Sequence, residues 1–166
     1  ELGFHLAQEF FWWNTSKMPN PAQWVTVNRE RITDAVNYIF WFSKSEHPKA
    51  DNRNILNAYS DKMKRLIKNK KYNENKRPGG QSISKVWAKD NGGAIPQNVI
   101  PYGNTFNDPY FKFCDDQGLK KHPARFGHFI PEFFIKFLTE KGDLVLDPFA
   151  GSCTTGSVAE QLERKW

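Results

Sequence analysis

The stretch LVLDPFAGSCTTG, residues 144–156, runs from apolar residues into a loop of small residues. Leu144–Asp147 has the composition of a buried strand, and Thr154–Arg164 is predicted to form a helix capped by Ser152 or Thr154. A strand that ends in an acid, followed by a small-residue loop and a helix N-terminus, is typical of the ligand-binding edge of an α/β sheet. We therefore expect the backbone of this loop to approach a ligand.

Two nucleotide-binding patterns can be compared with the loop, and each fails at one residue. Gly151 and Gly156 have the spacing of the glycines in G-x-x-x-x-G-K-[ST], but Ser157 stands where that pattern needs a lysine for the outer phosphates. The dinucleotide pattern G-x-G-x-x-G needs a glycine where Cys153 stands. A nucleotide hydrolase is therefore disfavoured, and a tight turn without a ligand is the remaining alternative on loop composition alone.

The segment DPFAGSCTTG closely resembles the first signature of amino-group DNA methyltransferases, D-P-F-x-G-S-G/N-T-T, which binds S-adenosylmethionine. Cys153 replaces the glycine or asparagine of that family, a change between small side chains that leaves room for the ligand. The resemblance implies that Asp147 lies near the methionine amino group. It also implies cofactor contacts within the loop, at Phe149, Ala150, Gly151, Ser152 and Thr154. A cationic, zwitterionic ligand needs an acid and close backbone approach, but no phosphate-binding lysine.

The upstream segment HPARFGHFIPEFFIKFLTEKGDLVLD, residues 122–147, resembles the segment that precedes this signature in the same family. Gly127 stands where the family usually has proline. The resemblance implies that the segment closes over the methionine end of the cofactor, with contacts from His122, Arg125 and Phe126. For His122 and Arg125 a structural role is the alternative.

Within that segment, apolar residues recur with helical periodicity from residue 130. They fall at i, i+3, i+4, i+7 and i+8, and Pro131 suits a first helical turn. We predict an amphipathic helix that begins at Ile130, with core packing from Phe133, Phe134 and Phe137.

The N-terminal part is predicted to be rich in strands, at Gln8–Trp13 and Tyr38–Phe42, with a loop at Met18–Trp24. FFWWNTSKMPNP and RITDAVNYIFWFSKSEHPKADNRN resemble the strands after the catalytic strand, in the group whose motifs run catalytic region, target recognition, cofactor region. In that family the hairpin corresponding to residues 38–44 forms one wall of the pocket for a flipped base. We expect Phe40 and Trp41 to lie in the sheet core.

The resemblance also indicates what this chain does not contain. The family's chemistry needs a tetrapeptide D/S/N-P-P-Y/F/W, expected on a strand before residue 1, so no catalytic residue is predicted within the chain. Asn107-Asp108-Pro109-Tyr110 has one proline only and is interpreted as a turn. The acid that binds the ribose is expected beyond Trp166. Both ends of the chain look cut, and we expect no turnover from this chain alone.

Residues 46–121 carry the surplus positive charge and are predicted to be the target-recognition segment. A helix is predicted over Ala58–Lys70, with Met63, Leu66 and Ile67 on one side and Pro78-Gly79-Gly80 as its end. An irregular segment is predicted at 90–110, and base-reading residues within Gln81–Asn104. The predicted DNA-backbone contacts are Lys62, Lys64, Arg65, Lys68, Lys70 and Lys71.

Length and composition limit the alternatives. A chain of 166 residues with a net charge of +6 fits one globular core and a polyanionic partner. Cys114 and Cys153 have neither CxxC nor CxxH spacing, so no disulfide or metal site is expected, and a reducing cytoplasm is the default. No apolar run approaches the roughly 20 residues of a membrane span.

These observations predict an α/β, Rossmann-like, S-adenosylmethionine-dependent methyltransferase fold, present as a fragment, with an inserted recognition segment. The predicted divisions are 1–45 for catalytic-half strands, 46–121 for recognition and 122–166 for cofactor binding. The expected substrate is double-stranded DNA, methylated at cytosine N4 or, as a close second, adenine N6. The expected setting is the cytoplasm of a prokaryote or phage, with a cognate restriction endonuclease as a partner. The alternative from another class is a non-catalytic DNA-binding remnant.

Overall fold

The computed structural model describes residues 2–70, 89–106, 108–121 and 125–166. The chain divides into two compact units, Glu1–Asp51 with Gln97–Trp166, and Asn52–Pro96. The division predicted from the sequence, at residues 45 and 121, remains a prediction. In the described ranges no helix is long and apolar enough to cross a membrane.

The first unit contains a mixed sheet with the strand order β2–β1–β3. β1 (His5–Trp13) pairs antiparallel with β2 (Val36–Ser43), and the register is irregular between residues 6 and 8. β3 (Val99–Ile100) pairs in parallel with the other edge of β1. Aromatic and β-branched residues, which suit a pleated and half-buried surface, make up most of β2, and β1 ends in a run of aromatic residues.

The strands predicted at Gln8–Trp13 and Tyr38–Phe42 are confirmed, and both are longer than predicted. A short helical turn at Gln23–Val27 begins inside the loop predicted at Met18–Trp24, so that loop is shorter than predicted. The described part of the stretch 90–110 is irregular as predicted, except that it contains β3 and the beginning of a helix at Pro109–Asp116. A two-residue strand has no periodicity of its own, and its pairing with β1 is what defines it.

Aromatic packing joins one face of the sheet to α3 (Phe129–Leu138). Phe10 on β1 is 3% exposed, and Trp41 on β2 lies 5.3 Å from Phe137 between ring centroids. Phe10 also makes edge-to-face contacts with the rings of Phe133, Phe134 and Phe137. The packing predicted for these phenylalanines, and the core position predicted for Trp41, are therefore confirmed.

The opposite face of the sheet is open in the part of the chain that the structure describes. Tyr38, Phe40 and Phe42 point to this face because side chains alternate along a strand. They are 67%, 51% and 55% exposed. Phe40 and Phe42 have tilted rings 6.2 Å apart, and Phe40 stacks on Tyr38. The core position predicted for Phe40 is wrong, since Phe40 and Trp41 lie on opposite faces.

Helix α3 begins at Phe129, one residue before the predicted start, with Pro131 in its first turn. It packs against α4 (Thr154–Gln161), where Ile135, Val158 and Ala159 form a small buried cluster. The predicted α4 is confirmed in position, but it ends at Gln161 rather than at residue 164. Its N-cap is Cys153, with no side-chain cap bond, and neither predicted cap residue occupies that position.

The buried strand predicted at Leu144–Asp147 is wrong in two respects. The segment forms a single parallel bridge, between Leu144 and Lys165, rather than a strand. Leu144 and Leu146 are 70% and 81% exposed. Apolar composition favours burial, but burial also requires neighbouring strands and a covering layer. Among the described residues this segment has one short pairing.

An ion cluster holds the turn between α3 and this segment. Lys49 Nζ lies 2.9 Å from Asp143 and 3.2 Å from Glu140. The backbone N–H of Glu140 donates to Asp143, and this bond, followed by that from Lys49, lowers the pKa of the Asp143 carboxyl. Hydrogen bonds to Asp143 and Glu140 raise the pKa of Lys49. The groups are exposed, so solvent screens their effect on stability.

The second unit contains α1 (Asp61–Asn69). Ser60 caps it by accepting the backbone N–H of Met63 at 3.3 Å. The predicted helix at Ala58–Lys70 is confirmed but shorter, because the residue after Asn69 has a left-handed backbone with φ +49°. The end signal predicted at Pro78-Gly79-Gly80 lies outside the described residues.

Candidate functional site

Asp147 stands at the start of the small-residue loop that leads to α4, and its carboxylate bonds to both ends of that loop. Its Oδ1 accepts the backbone N–H of Phe149 at 2.9 Å, and its Oδ2 accepts the hydroxyl of Thr155 at 2.7 Å. The carboxylate therefore joins the start of the loop to the first turn of α4. Both carboxylate oxygens keep acceptor capacity for a further donor. The cofactor contact predicted for Asp147 remains a prediction.

Two loop residues have a left-handed backbone, Gly151 with φ +53° and Cys153 with φ +54°. Glycine adopts this region freely, whereas another residue is strained there by about 1–2 kcal/mol. The carbonyl of Ala150 accepts the N–H of Cys153 at 2.7 Å and closes a tight turn. The Gly or Asn that the resembling family has at position 153 are residues that adopt this conformation readily. This position is therefore constrained by backbone geometry as well as by space.

A cavity of about 100 Å³ lies against the loop. All the residues that line it are among the predicted cofactor contacts: Arg125, Phe126, Phe149, Ala150, Gly151, Ser152 and Thr154. Small-molecule sites usually enclose about 300–1,000 Å³, so this cavity could form only a part of a cofactor site. Phe149 is 91% exposed, which leaves its ring free to cover a ligand. His122 lies outside the described residues.

Arg125 reaches into the floor of this cavity from the segment before α3. Its side chain is 6% exposed and forms an ion pair with Asp108, whose side chain is 1% exposed. Nη2 donates to the hydroxyl of Thr154 at 2.8 Å, and Nε donates to that of Ser152 at 3.3 Å. Each guanidinium nitrogen thus has a partner within the protein. The structural alternative for Arg125 has direct support, and its predicted cofactor contact remains a prediction.

Asp108 is the main residue that sequence reasoning missed. It caps α2 (Pro109–Asp116) by accepting the backbone N–H of Tyr110 at 3.0 Å. Asp before Pro at the first helical position is a recognisable helix-start signal. The interpretation of this tetrapeptide as a turn is wrong, because Asp108 caps α2 and Pro109 and Tyr110 belong to the helix. Its exclusion as a catalytic motif remains a prediction. No local signal could reveal the pairing with Arg125, which comes from a distant part of the chain.

A second cavity, of about 350 Å³, lies between α2 and α4 and shares Arg125, Ser152 and Thr154 with the first. His128 also lines it, and the Nδ1 atom of that ring is buried with no hydrogen-bond partner among the described residues. Its Nε2 lies 3.9 Å from Glu132. The loop hydroxyls therefore face two cavities.

Helix α1 in the second unit presents separate apolar and basic faces. Met63, Leu66 and Ile67 are half-buried on one side, as predicted. The basic residues predicted to contact DNA are exposed, and in the described range they are Lys62, Lys64, Arg65, Lys68 and Lys70. Lys71 lies outside the described residues. The accessible basic face is compatible with phosphate binding, and the DNA contacts remain predictions.

Comparison with known proteins identifies the family. The family model for DNA methylase of the N6/N4 type matches residues 1–166. The chain belongs to the N6/N4 DNA methylase family. Type II methyltransferase M.PvuII of Proteus hauseri is 50% identical over 169 residues, which cover 100% of this chain and 50% of that protein. Orphan methyltransferase M.BamHII of Bacillus amyloliquefaciens is 30% identical over 176 residues, covering 100% of this chain and 57% of that protein.

A solved structure supports the same assignment. PvuII DNA methyltransferase (cytosine-N4-specific) superposes with a TM-score of 0.71 at 40% sequence identity, covering 100% of this chain and 46% of that one. The predicted Rossmann-like methyltransferase fold and the resemblance to DNA amino-methyltransferases are confirmed. The chain spans about half the length of the relatives it matches.

Proposed function

We propose that this chain is the target-recognition and cofactor-binding part of a DNA methyltransferase. The complete enzyme transfers a methyl group from S-adenosylmethionine to an exocyclic amine of a DNA base. One observation carries the proposal: seven of the predicted cofactor contacts, from the loop and from the segment before α3, line a single cavity. Asp147 is not among the described residues that line it. The seven residues lie in the segments that resemble the cofactor motif of the family, and membership of the DNA methylase family supports the same site.

The residues of the chain suit binding and orientation of the cofactor. Asp147 offers a carboxylate to the methionine amino group, while Gly151 and its neighbours bring backbone close to the ligand. The cofactor supplies the methyl group when bound. The chain contains no D/S/N-P-P-Y/F/W tetrapeptide to orient the accepting amine, so we expect it to bind the cofactor without turnover by itself.

Cytosine N4 is the target we propose first. The related PvuII enzyme carries the description cytosine-N4-specific, and its likeness to this chain extends over the full 166 residues. Adenine N6 is the second candidate, because the same family model covers both amines. Methylation of plasmid DNA by the complete enzyme, followed by nucleoside mass spectrometry, separates the two products.

Double-stranded DNA is the substrate we propose, with the basic face of α1 as a backbone contact. Exposed lysine and arginine side chains attract phosphates without reading sequence. A cognate restriction endonuclease and a prokaryotic or phage cytoplasm remain predictions. Co-purification of a tagged chain from its native host would identify a nuclease partner.

The test of the cofactor site is a calorimetric titration of the chain with S-adenosylmethionine and, in parallel, with ATP. Binding of S-adenosylmethionine with no binding of ATP is the expected result, because Ser157 replaces the phosphate-binding lysine. Binding of ATP alone would overturn the proposal. DNA binding without any cofactor affinity would favour the non-catalytic remnant.

A pair of exposed side chains gives a sharper test of the position of the site. Phe149→Ala removes a ring that is 91% exposed, so it is expected to leave stability unchanged while weakening cofactor binding. The expected loss is about 0.5–1.5 kcal/mol, typical of one aromatic contact. Leu146→Ala is the matched control, since Leu146 is 81% exposed three positions earlier and does not line the cavity. Equal losses from both variants would contradict this location.

A further inference from the structure

Arg125 connects three parts of the first unit. Its guanidinium pairs with Asp108 at the start of α2 and donates to the hydroxyls of Ser152 and Thr154 in the loop. The pair is almost fully buried, with side-chain exposures of 6% and 1%. All three guanidinium nitrogens are therefore bonded to protein groups, although the side chain also lines the cavity.

We propose that Arg125 is a positioning residue that shapes the cofactor loop through Ser152 and Thr154, without contacting the cofactor itself. Through Asp108, the same side chain couples the loop to the N-terminus of α2. The inference rests on the proposed function only for its cofactor-binding consequence. The effect on loop conformation stands on the geometry alone.

The contacts of Arg125 explain how it can fix the loop. Ser152 and Thr154 flank Cys153, the residue with the left-handed backbone, and their hydroxyls lie 3.0 Å apart. Holding both hydroxyls with one rigid group restrains the turn between them. The guanidinium also makes a cation–π contact, with its central carbon 4.1 Å from the ring centroid of Tyr110. A planar fork presents a separate nitrogen to each acceptor in a fixed geometry, whereas a lysine presents one nitrogen on a flexible stem.

Asp108 connects Arg125 to the N-terminus of α2. Its Oδ1 caps α2 through the N–H of Tyr110, while its Oδ2 pairs with Arg125. A buried ion pair is strongly destabilised when one partner is lost, because the other is left as an uncompensated charge. Displacement of the loop therefore changes the environment of the α2 cap, and displacement of α2 changes the anchoring of the loop.

The first experiment measures loop conformation without any ligand. Arg125→Lys keeps the charge opposite Asp108 but loses the fork, so the chain is expected to fold. Amide hydrogen exchange across 149–155 is expected to accelerate about tenfold, including the Cys153 N–H bonded to Ala150. Unchanged exchange in this segment would overturn the inference.

Arg164→Lys is the matched control. Arg164 is half-buried and donates to the hydroxyl of Thr139 at 3.0 Å and to its carbonyl at 2.9 Å, away from the loop. This variant is expected to loosen the end of α3 and leave exchange across 149–155 unchanged. Equal acceleration in both variants would show general loosening and would also overturn the inference.

The second experiment separates positioning from direct contact. Arg125→Lys is expected to weaken S-adenosylmethionine binding about tenfold, and decarboxylated S-adenosylmethionine by the same factor. In a Ser152→Ala, Thr154→Val background the substitution is expected to cause no further loss of affinity. A loss that disappears with the decarboxylated cofactor, or persists in full in that background, would mean that Arg125 binds the cofactor carboxylate directly.

The two experiments distinguish failure of the inference from failure of the proposed function. If the wild-type chain binds neither form of the cofactor, the proposed function fails. Hydrogen exchange then still decides whether Arg125 positions the loop.

Discussion

Replacing Cys153 with glycine is expected to stabilise the chain, because it removes backbone strain at one residue. Cys153 has φ +54° and ψ +31°, and its side chain is exposed, so little burial is lost. The left-handed conformation is less favourable by about 1–2 kcal/mol for a non-glycine residue. Glycine also loosens the unfolded chain, which offsets about 0.4–1 kcal/mol of this gain. The net stabilisation expected is about 0.5–1 kcal/mol.

Thermal unfolding followed by tryptophan fluorescence measures this change. For a chain of this length, 1 kcal/mol shifts Tm by about 2–4 °C, so Cys153→Gly is expected to raise Tm by about 1–4 °C. Cys153→Val is expected to lower it, because a β-branched side chain is poorly tolerated at positive φ. The Tm of the wild type lies between those of the two variants only if the backbone at this position is left-handed.

Arg29 supplies a matched control outside the loop. It is exposed and has φ +60°, so Arg29→Gly is expected to give a similar gain in Tm and no change in cofactor affinity. A gain from Arg29→Gly without one from Cys153→Gly would refute the reasoning for the loop. The turn at Cys153 would then have another conformation in solution.

Three further predictions concern packing, acidity and DNA. Gly156→Ala is expected to lower the free energy of unfolding by about 1–3 kcal/mol in urea titrations, because an added Cβ would lie 2.6 Å from the Trp166 ring. Since the folded pKa of Asp143 is below its ordinary value of 3.8, its contribution to stability is present above pH 3.8 and is lost as pH falls through the folded value. Asp143→Asn is therefore expected to flatten the acid limb of stability against pH, and an unchanged limb would argue against this role. Arg65→Gln is expected to weaken DNA binding and reduce the slope of log affinity against log salt by about 0.9 in fluorescence anisotropy, whereas exposed Lys112→Gln leaves the slope unchanged if phosphate contact is confined to α1.

Local sequence patterns were sufficient to predict the helices and strands whose own residues show a clear periodicity or composition. The apolar residues of α3 recur at helical spacing, and Pro131 marks its first turn, so its position followed directly. The same holds for β1 and β2, where runs of aromatic residues are bounded by turn formers. The residues of the cofactor loop were predicted from motif resemblance. They line one cavity because the loop turns back on itself within the motif.

Features that depend on contacts between distant parts of the chain could not be predicted from the sequence. Leu144 and Leu146 have the composition of a core strand, but composition does not report whether a neighbouring strand or covering helix is present. The alternation of Phe40 and Trp41 predicts opposite faces, yet it does not say which face is covered. The pairing of Asp108 with Arg125 depends on how α2 packs near the loop, which neither motif encodes.

The two cysteines differ in accessibility, and this makes the loop observable in the unmodified protein. Cys114 is 1% exposed within α2, whereas Cys153 is exposed at the tip of the cofactor loop. A maleimide dye is therefore expected to label the folded chain at a single position. The emission of the dye would report ligand binding and loop rearrangement at Cys153, the strained residue that lies among the predicted cofactor contacts. No cysteine would have to be engineered.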